Sequence, residues 1–202
     1  MQRALAFIFL TGTACAATSC GHSSNAVSGQ QVGLPASAAP VAQERTADGR
    51  VAERSDINGD GRVDVFLLAD EVMGPDNKLR KVPVRKEVDL NADGKVDLTQ
   101  YFDEGVVARE ELDLDFDGRV DKVARYKDER VESEELSSLF DGRFDVRRYY
   151  ENGVLVLKQV DTRRNGLFDE FQYFVGNKLA RIGWDRDGDG KPELFEESPG
   201  VE

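Results

Sequence analysis

The sequence predicts an all-β fold of tandem 24-residue β-hairpins joined by carboxylate-rich D-x-D-x-D-G loops, an elongated antiparallel ribbon or solenoid. Three observations predict it. First, six segments place a glycine in one column and an acid three residues later: DINGDGRVD from Asp56, DLNADGKVD from Asp89, DLDFDGRVD from Asp113, SSLFDGRFD from Ser137, DTRRNGLFD from Asp161 and DRDGDGKPE from Asp185. The starts at 89, 113, 137, 161 and 185 are 24 residues apart, and the first interval is 33. A fixed period of this length is the mark of a repeat architecture. Second, columns one, three, five and nine of these segments hold 18 of the 36 Asp and Glu between residues 56 and 202, so the charge is concentrated in loops. Third, turn residues interrupt each repeat at its middle and β-formers flank them, which selects hairpins over long helices.

The chain opens with Met1-Gln2-Arg3 and an apolar run from Ala4 to Leu10, the pattern of a secretory signal and too short to span a bilayer as a helix. Ala17-Thr18-Ser19-Cys20 places small residues before a cysteine and resembles the cleavage box of bacterial lipoproteins. That resemblance implies a signal peptide over 1–19, lipidation of Cys20, export to the bacterial cell envelope and a membrane contact through the lipid. Gly21 in place of Asp after Cys20 implies the outer membrane by the same resemblance. Residues 20–45 are rich in Ser, Ala, Gly, Gln and Pro without periodicity and read as a tether, because such a segment buries too little to offset its ordering entropy. The repeat domain is expected over 46–202, with 46–55 as a leading half-hairpin.

In each loop, packed carboxylates repel unless a cation neutralises them or their pKa values rise. Four loops keep the full set: Asp56, Asn58, Asp60 and Asp64; Asp89, Asn91, Asp93 and Asp97; Asp113, Asp115, Asp117 and Asp121; Asp185, Asp187, Asp189 and Glu193. This D-x-[DN]-x-D-G spacing resembles the EF-hand calcium loop, in which alternate side chains converge and the sixth-column glycine permits the sharp turn. All-oxygen ligation of this kind implies Ca2+. An EF-hand also needs a glutamate in column twelve, and only Glu196 supplies it; the first, second, third and fifth loops carry Leu67, Gln100, Ala124 and Gln172 in the column. Glu87 and Glu111, two residues before a loop, are candidates for the missing oxygens. The loops at 137–145 and 161–169 have lost the pattern to Ser137, Leu139, Arg163 and Asn165 and are expected to be metal-free, with the Arg163 guanidinium neutralising Asp161 and Asp169.

The alternative to hairpins is a dockerin-like repeat, a calcium loop followed by one helix, which has about this period. Asp103-Glu104-Gly105, Glu151-Asn152-Gly153 and Gly176-Asn177 would break that helix. The third repeat is the exception: its Lys127-Asp128-Glu129 turn lacks glycine, and Arg130–Leu136 also fits a short helix. The first interval's nine extra residues fall within 65–88, with Gly74-Pro75-Asp76-Asn77 as their turn. Apolar residues recur in column eight (Val63, Val96, Val120, Phe144, Phe168), column fourteen (Phe102, Tyr126, Tyr150, Phe174), column nineteen (Val107, Val131, Leu155, Leu179) and the last column (Val88, Leu112, Leu136, Val160, Trp184), and are expected to form a repeating core.

Composition limits the function. With 39 acidic against 27 basic side chains and a net charge of −12, the chain lacks the basic surface that nucleic acid requires. Cys15, Cys20 and His22 contain all its thiols and imidazole, so triads, cysteine nucleophiles and zinc fingers are excluded from everything after residue 22. The expectation is a non-enzymatic, calcium-binding, lipid-anchored envelope protein, a structural spacer or scaffold with a protein or glycan partner. The alternative is a metal-independent β-repeat interaction module.

Overall fold

In the computed structural model, residues 42–198 are described; the predicted signal peptide, Cys20 and the tether up to residue 41 lie outside them. The described residues form thirteen strands: β1 (Ala42–Arg45), β2 (Val51–Ser55), β3 (Val65–Met73), β4 (Leu79–Val88), β5 (Leu98–Asp103), β6 (Val106–Leu112), β7 (Lys122–Lys127), β8 (Arg130–Leu136), β9 (Val146–Glu151), β10 (Val154–Val160), β11 (Glu170–Val175), β12 (Lys178–Trp184) and β13 (Leu194–Glu197). They make one sheet in strict sequence order, each strand antiparallel to the next. Among the described residues there is no helix, so the hairpin repeat holds and the dockerin-like alternative falls. Thirteen strands at ~4.8 Å spacing put β1 and β13 on the order of 60 Å apart along the ribbon.

Ala42–Arg45, which composition places in the tether, pair with Val51–Arg54 to complete a leading hairpin. Arg130–Leu136 form strand β8, because pairing with β7 and β9 overrides local helix propensity. The Gly74–Asn77 turn is where expected, closed by Gly74 N donating to Lys78 O at 2.8 Å.

One irregularity repeats with the period. Ala108, Glu132, Val156 and Ala180 are each skipped by the strand pairing, so every regular hairpin carries a β-bulge in column twenty, and Val84 does the same in the longer β3–β4 hairpin. Bulges raise the right-handed twist, which coils the ribbon.

At the ends opposite the loops, both central residues of the β5–β6, β7–β8, β9–β10 and β11–β12 turns have positive φ, the geometry that matches strand twist. Glycine or asparagine meets that demand in part of every turn except one. Asp128 and Glu129 sit at φ 51° and 61° without either residue type. Glu129→Gly is therefore expected to stabilise the protein by about 1 kcal/mol in urea unfolding, since a left-handed L-residue costs roughly 1–2 kcal/mol, partly offset by glycine's entropy.

The expected core is thinner than the apolar columns suggest. Columns fourteen, nineteen and twenty-four are half-buried, and in column eight Val63, Val96 and Val120 are exposed. A single sheet has no second layer to cover these side chains. Among the described residues the buried apolar set is Val51, Ala52, Ala69, Val123, Ala124, Val146 and Phe171, whereas nine polar residues are buried, all at the loop ends. The strand faces are tied instead by paired charges such as Arg109–Glu111, Arg125–Glu135 and Arg147–Glu135, and by Arg54 and Arg85 over the Phe66 ring.

Candidate metal centre

All six loops lie along one rim of the sheet, and their sequence dictates a repeated hydrogen-bond scheme. The first-column acid accepts from two backbone N–H groups ahead of it: Asp56 from Gly59 (2.6 Å) and Gly61 (2.8 Å), Asp89 from Ala92 and Gly94 (2.7 Å each), Asp113 from Phe116 (2.8 Å) and Gly118 (2.6 Å), Asp185 from Gly188 and Gly190 (2.7 Å each). The ninth-column acid accepts from column two: Asp64 from Ile57 (2.5 Å), Asp97 from Leu90 (2.7 Å), Asp121 from Leu114 (2.9 Å) and Glu193 from Arg186 (3.1 Å). Columns three and five cap the next turn, as where Asn58 accepts from Asp60, Asn91 from Asp93, Asp115 from Asp117, Asp93 from Lys95 and Asp189 from Lys191. These are stacked Asx turns, and they give most of the predicted ligands a role that needs no ion.

Backbone bonds then close each loop at its base and join it to the next. Asp97 N donates to Val88 O, Asp113 N to Asp97 O, Asp121 N to Leu112 O and Ser137 N to Asp121 O, at 2.7–2.9 Å. This ladder draws columns one and nine inward: Asp97, Asp113, Asp121, Asp145, Asp161, Asp169 and Asp185 are buried while columns three and five face solvent. In chain order the loops carry net charges of −2, −2, −3, −1, 0 and −2, so −10 of the chain's −12 lies on this rim.

Among the described residues, acids gather closely enough for one ion in two places. Carboxylate oxygens of Asp113, Asp115 and Asp117 lie within 4.8 Å of one another, as do those of Asp185, Asp187 and Glu193. In the first two loops an asparagine holds column three, and the Asn58 amide donates to Asp60 (3.3 Å) and Asp64 (3.4 Å) across the space between them. Glu196 lies in β13 opposite Ile182, outside the Asp185 group. Of the two candidate glutamates that precede a loop, Glu87 pairs with Arg85, and Glu111 with Arg109 and the Tyr101 hydroxyl. Ala124, in column twelve of the third loop, is wholly buried and offers no side-chain oxygen.

The third loop is the most strongly acidic. Asp121 is 0 % exposed, and its Oδ1 has no hydrogen-bond partner. Desolvation pushes the Asp115 carboxyl up, and the charges of Asp117, Asp121 and Asp113 add to it, against the hydrogen bond from Asp117 N. Three gathered carboxylates thus lie in the same loop as a buried, unpartnered Asp121 oxygen. Arg119, which the spacing gives no reason to single out, is the present counter-charge: its Nε donates to Asp117 at 2.7 Å and holds that carboxyl below its ordinary value. A hard divalent cation fits this donor set, because every available group is an oxygen and the ligand count remains below six, leaving places for water.

Fold and rim together define a class: a single-layer antiparallel β-repeat whose loops form an acidic, oxygen-lined row. No protein-family model and no curated protein matches the chain.

Proposed function

We propose that the chain is a non-enzymatic, calcium-binding repeat protein, lipid-anchored through Cys20 in the bacterial cell envelope at the outer membrane, where it acts as a spacer or scaffold for a protein or glycan. One observation supports the cation more than any other: the unpartnered, buried Asp121 Oδ1 beside the gathered Asp113, Asp115 and Asp117. A buried carboxylate oxygen with no donor is costly, and a cation removes that cost. Calcium is favoured over magnesium because the site offers a flexible, irregular set of oxygens rather than a rigid octahedron. The anchor rests on Ala17-Thr18-Ser19-Cys20 after the short apolar run. With little apolar core, bound ions matter: at ten times the dissociation constant each contributes about 1.4 kcal/mol.

A specific observation also favours the second reading, a metal-independent interaction module. The first- and ninth-column acids of the first two loops already serve backbone N–H groups, so those loops close without an ion. Equilibrium dialysis against calcium at roughly 2 mM, above the range usual for exported modules, separates the two. Saturable uptake that Asp115→Asn reduces by one ion per chain is the expected result. No uptake by the wild type leaves the metal-independent module.

A further inference from the structure

We propose that the adjacent residues Arg163 and Arg164 are a resident counter-cation for the fourth and fifth loops, so that the fifth loop is a cation site filled by the protein's own guanidinium and one substitution reopens it to a divalent metal. The inference rests on the reading of the third loop as a cation site.

In the third loop column three is Asp115, and the column-nine oxygen Asp121 Oδ1 is enclosed without a partner. In the fifth loop column three is Arg163, and both oxygens of the column-nine Asp169 are engaged. Asp169 Oδ1 accepts from Thr162 N (2.8 Å) and Oγ1 (2.9 Å), and Oδ2 accepts from Thr162 Oγ1 (3.1 Å) and Arg163 Nε. The column-nine acid is therefore left with an unpartnered oxygen in the third loop, where column two is Leu114, and is fully engaged in the fifth, where Thr162 and Arg163 together serve it. Arg163 Nη2 continues to the carbonyl of Asp185 at 2.5 Å, tying the fifth loop to the start of the sixth. A lysine has no second arm with which to make that bridge.

Arg164 serves the other neighbour. Its Nη2 pairs with Asp141, the column-five acid of the fourth loop, 23 residues earlier. Asp145, that loop's other acid, takes Ser138 N (2.7 Å) and Oγ (2.6 Å). Two consecutive arginines thus serve acids in two loops: they bring the fifth loop to a net charge of 0, and Arg164 reaches across to the fourth, which carries −1 by its own residues, against −3 on the third. Burial alone would raise the Asp169 carboxyl, yet Arg163 and Thr162 hold it below its ordinary value.

The test is a reciprocal exchange in the full chain with calcium as the probe. Ions are counted by equilibrium dialysis, and melting is followed in calcium and in EGTA. Arg163→Asp is expected to bind one more ion per chain than the wild type, to melt lower in EGTA and to recover in calcium. Arg163→Ala is expected to melt lower without recovering, because it removes the cation and adds no ligand. Asp115→Arg is expected to bind one ion fewer and to lose that loop's share of the calcium-induced shift. An unchanged count in Arg163→Asp, or an Arg163→Ala variant that melts as the wild type does in EGTA, overturns the inference. Should the wild type bind nothing while Arg163→Asp binds one ion, the inference stands and the reading of the third loop fails.

Discussion

Asp113→Ala is expected to lower the unfolding free energy by about 3 kcal/mol in EGTA, with no ion involved. The carboxylate accepts from Phe116 N (2.8 Å), Gly118 N (2.6 Å) and, more weakly, Asp117 N (3.3 Å), and the residue is 5 % exposed. Deleting it leaves these donors near the buried rim without an acceptor, and hydrogen bonds to charged groups contribute roughly 1.5–3 kcal/mol each, with partial relief from water. Asp115→Asn in the same buffer is expected to leave stability unchanged or raise it, since Asp115 accepts only one long bond, from Asp117 N at 3.2 Å, and its charge is opposed by three neighbours. Urea titration of the two variants reads the contrast. Equal losses would mean that columns one and three share one role.

Glu134→Ala is expected to cost about 2 kcal/mol at neutral pH and to flatten acid unfolding. Glu134 accepts from the Tyr150 hydroxyl at 2.7 Å and pairs with Lys122 (2.7 Å) and Arg148 (3.3 Å), its side chain only 12 % exposed. Burial alone would raise its carboxyl, but Lys122, Tyr150 and Arg148 hold it below its ordinary value. A depressed carboxylate contributes stability that is present above the unfolded-state value, about 4.3, and lost as pH falls through the folded one. Melting temperatures between about pH 6 and pH 3 check this: the wild type should fall more steeply than the variant. Tyr150 has the opposite sense. Desolvation and then the Glu134 charge push it up to about 12, so its contribution is present below the ordinary tyrosine value and lost as pH rises through about 12.

The 24-residue spacing made the hairpins and loops legible because a glycine in column six and turn residues at mid-repeat impose local geometry whatever lies around them. The strand character of Arg130–Leu136 was ambiguous because Lys127-Asp128-Glu129 gives no glycine signal and the pairing with β7 and β9 is not local. The same cause hid Ala42–Arg45, whose mostly polar side chains are exposed while its backbone pairs with β2. The apolar columns promise more core than the sheet contains, since periodicity reports which residues share a face and says nothing of whether a second layer covers them; Val63 and Val96 are the clearest cases. At the candidate site, the spacing located the acids but could not divide their work. Asp113 differs from Asp115 through its two short bonds from backbone N–H groups, Asp121 through complete burial, and Arg119 enters through a contact with Asp117 that no spacing predicts.

The bulge that recurs at Ala108, Glu132, Val156 and Ala180 puts the same twist-raising irregularity in one column of four successive hairpins. Duplicating or excising one 24-residue unit therefore changes reach by about 10 Å, two strand spacings, and adds or removes one bulge. The gene for such a chain can be lengthened like a ruler, by whole graduations, with each junction already compatible with the next.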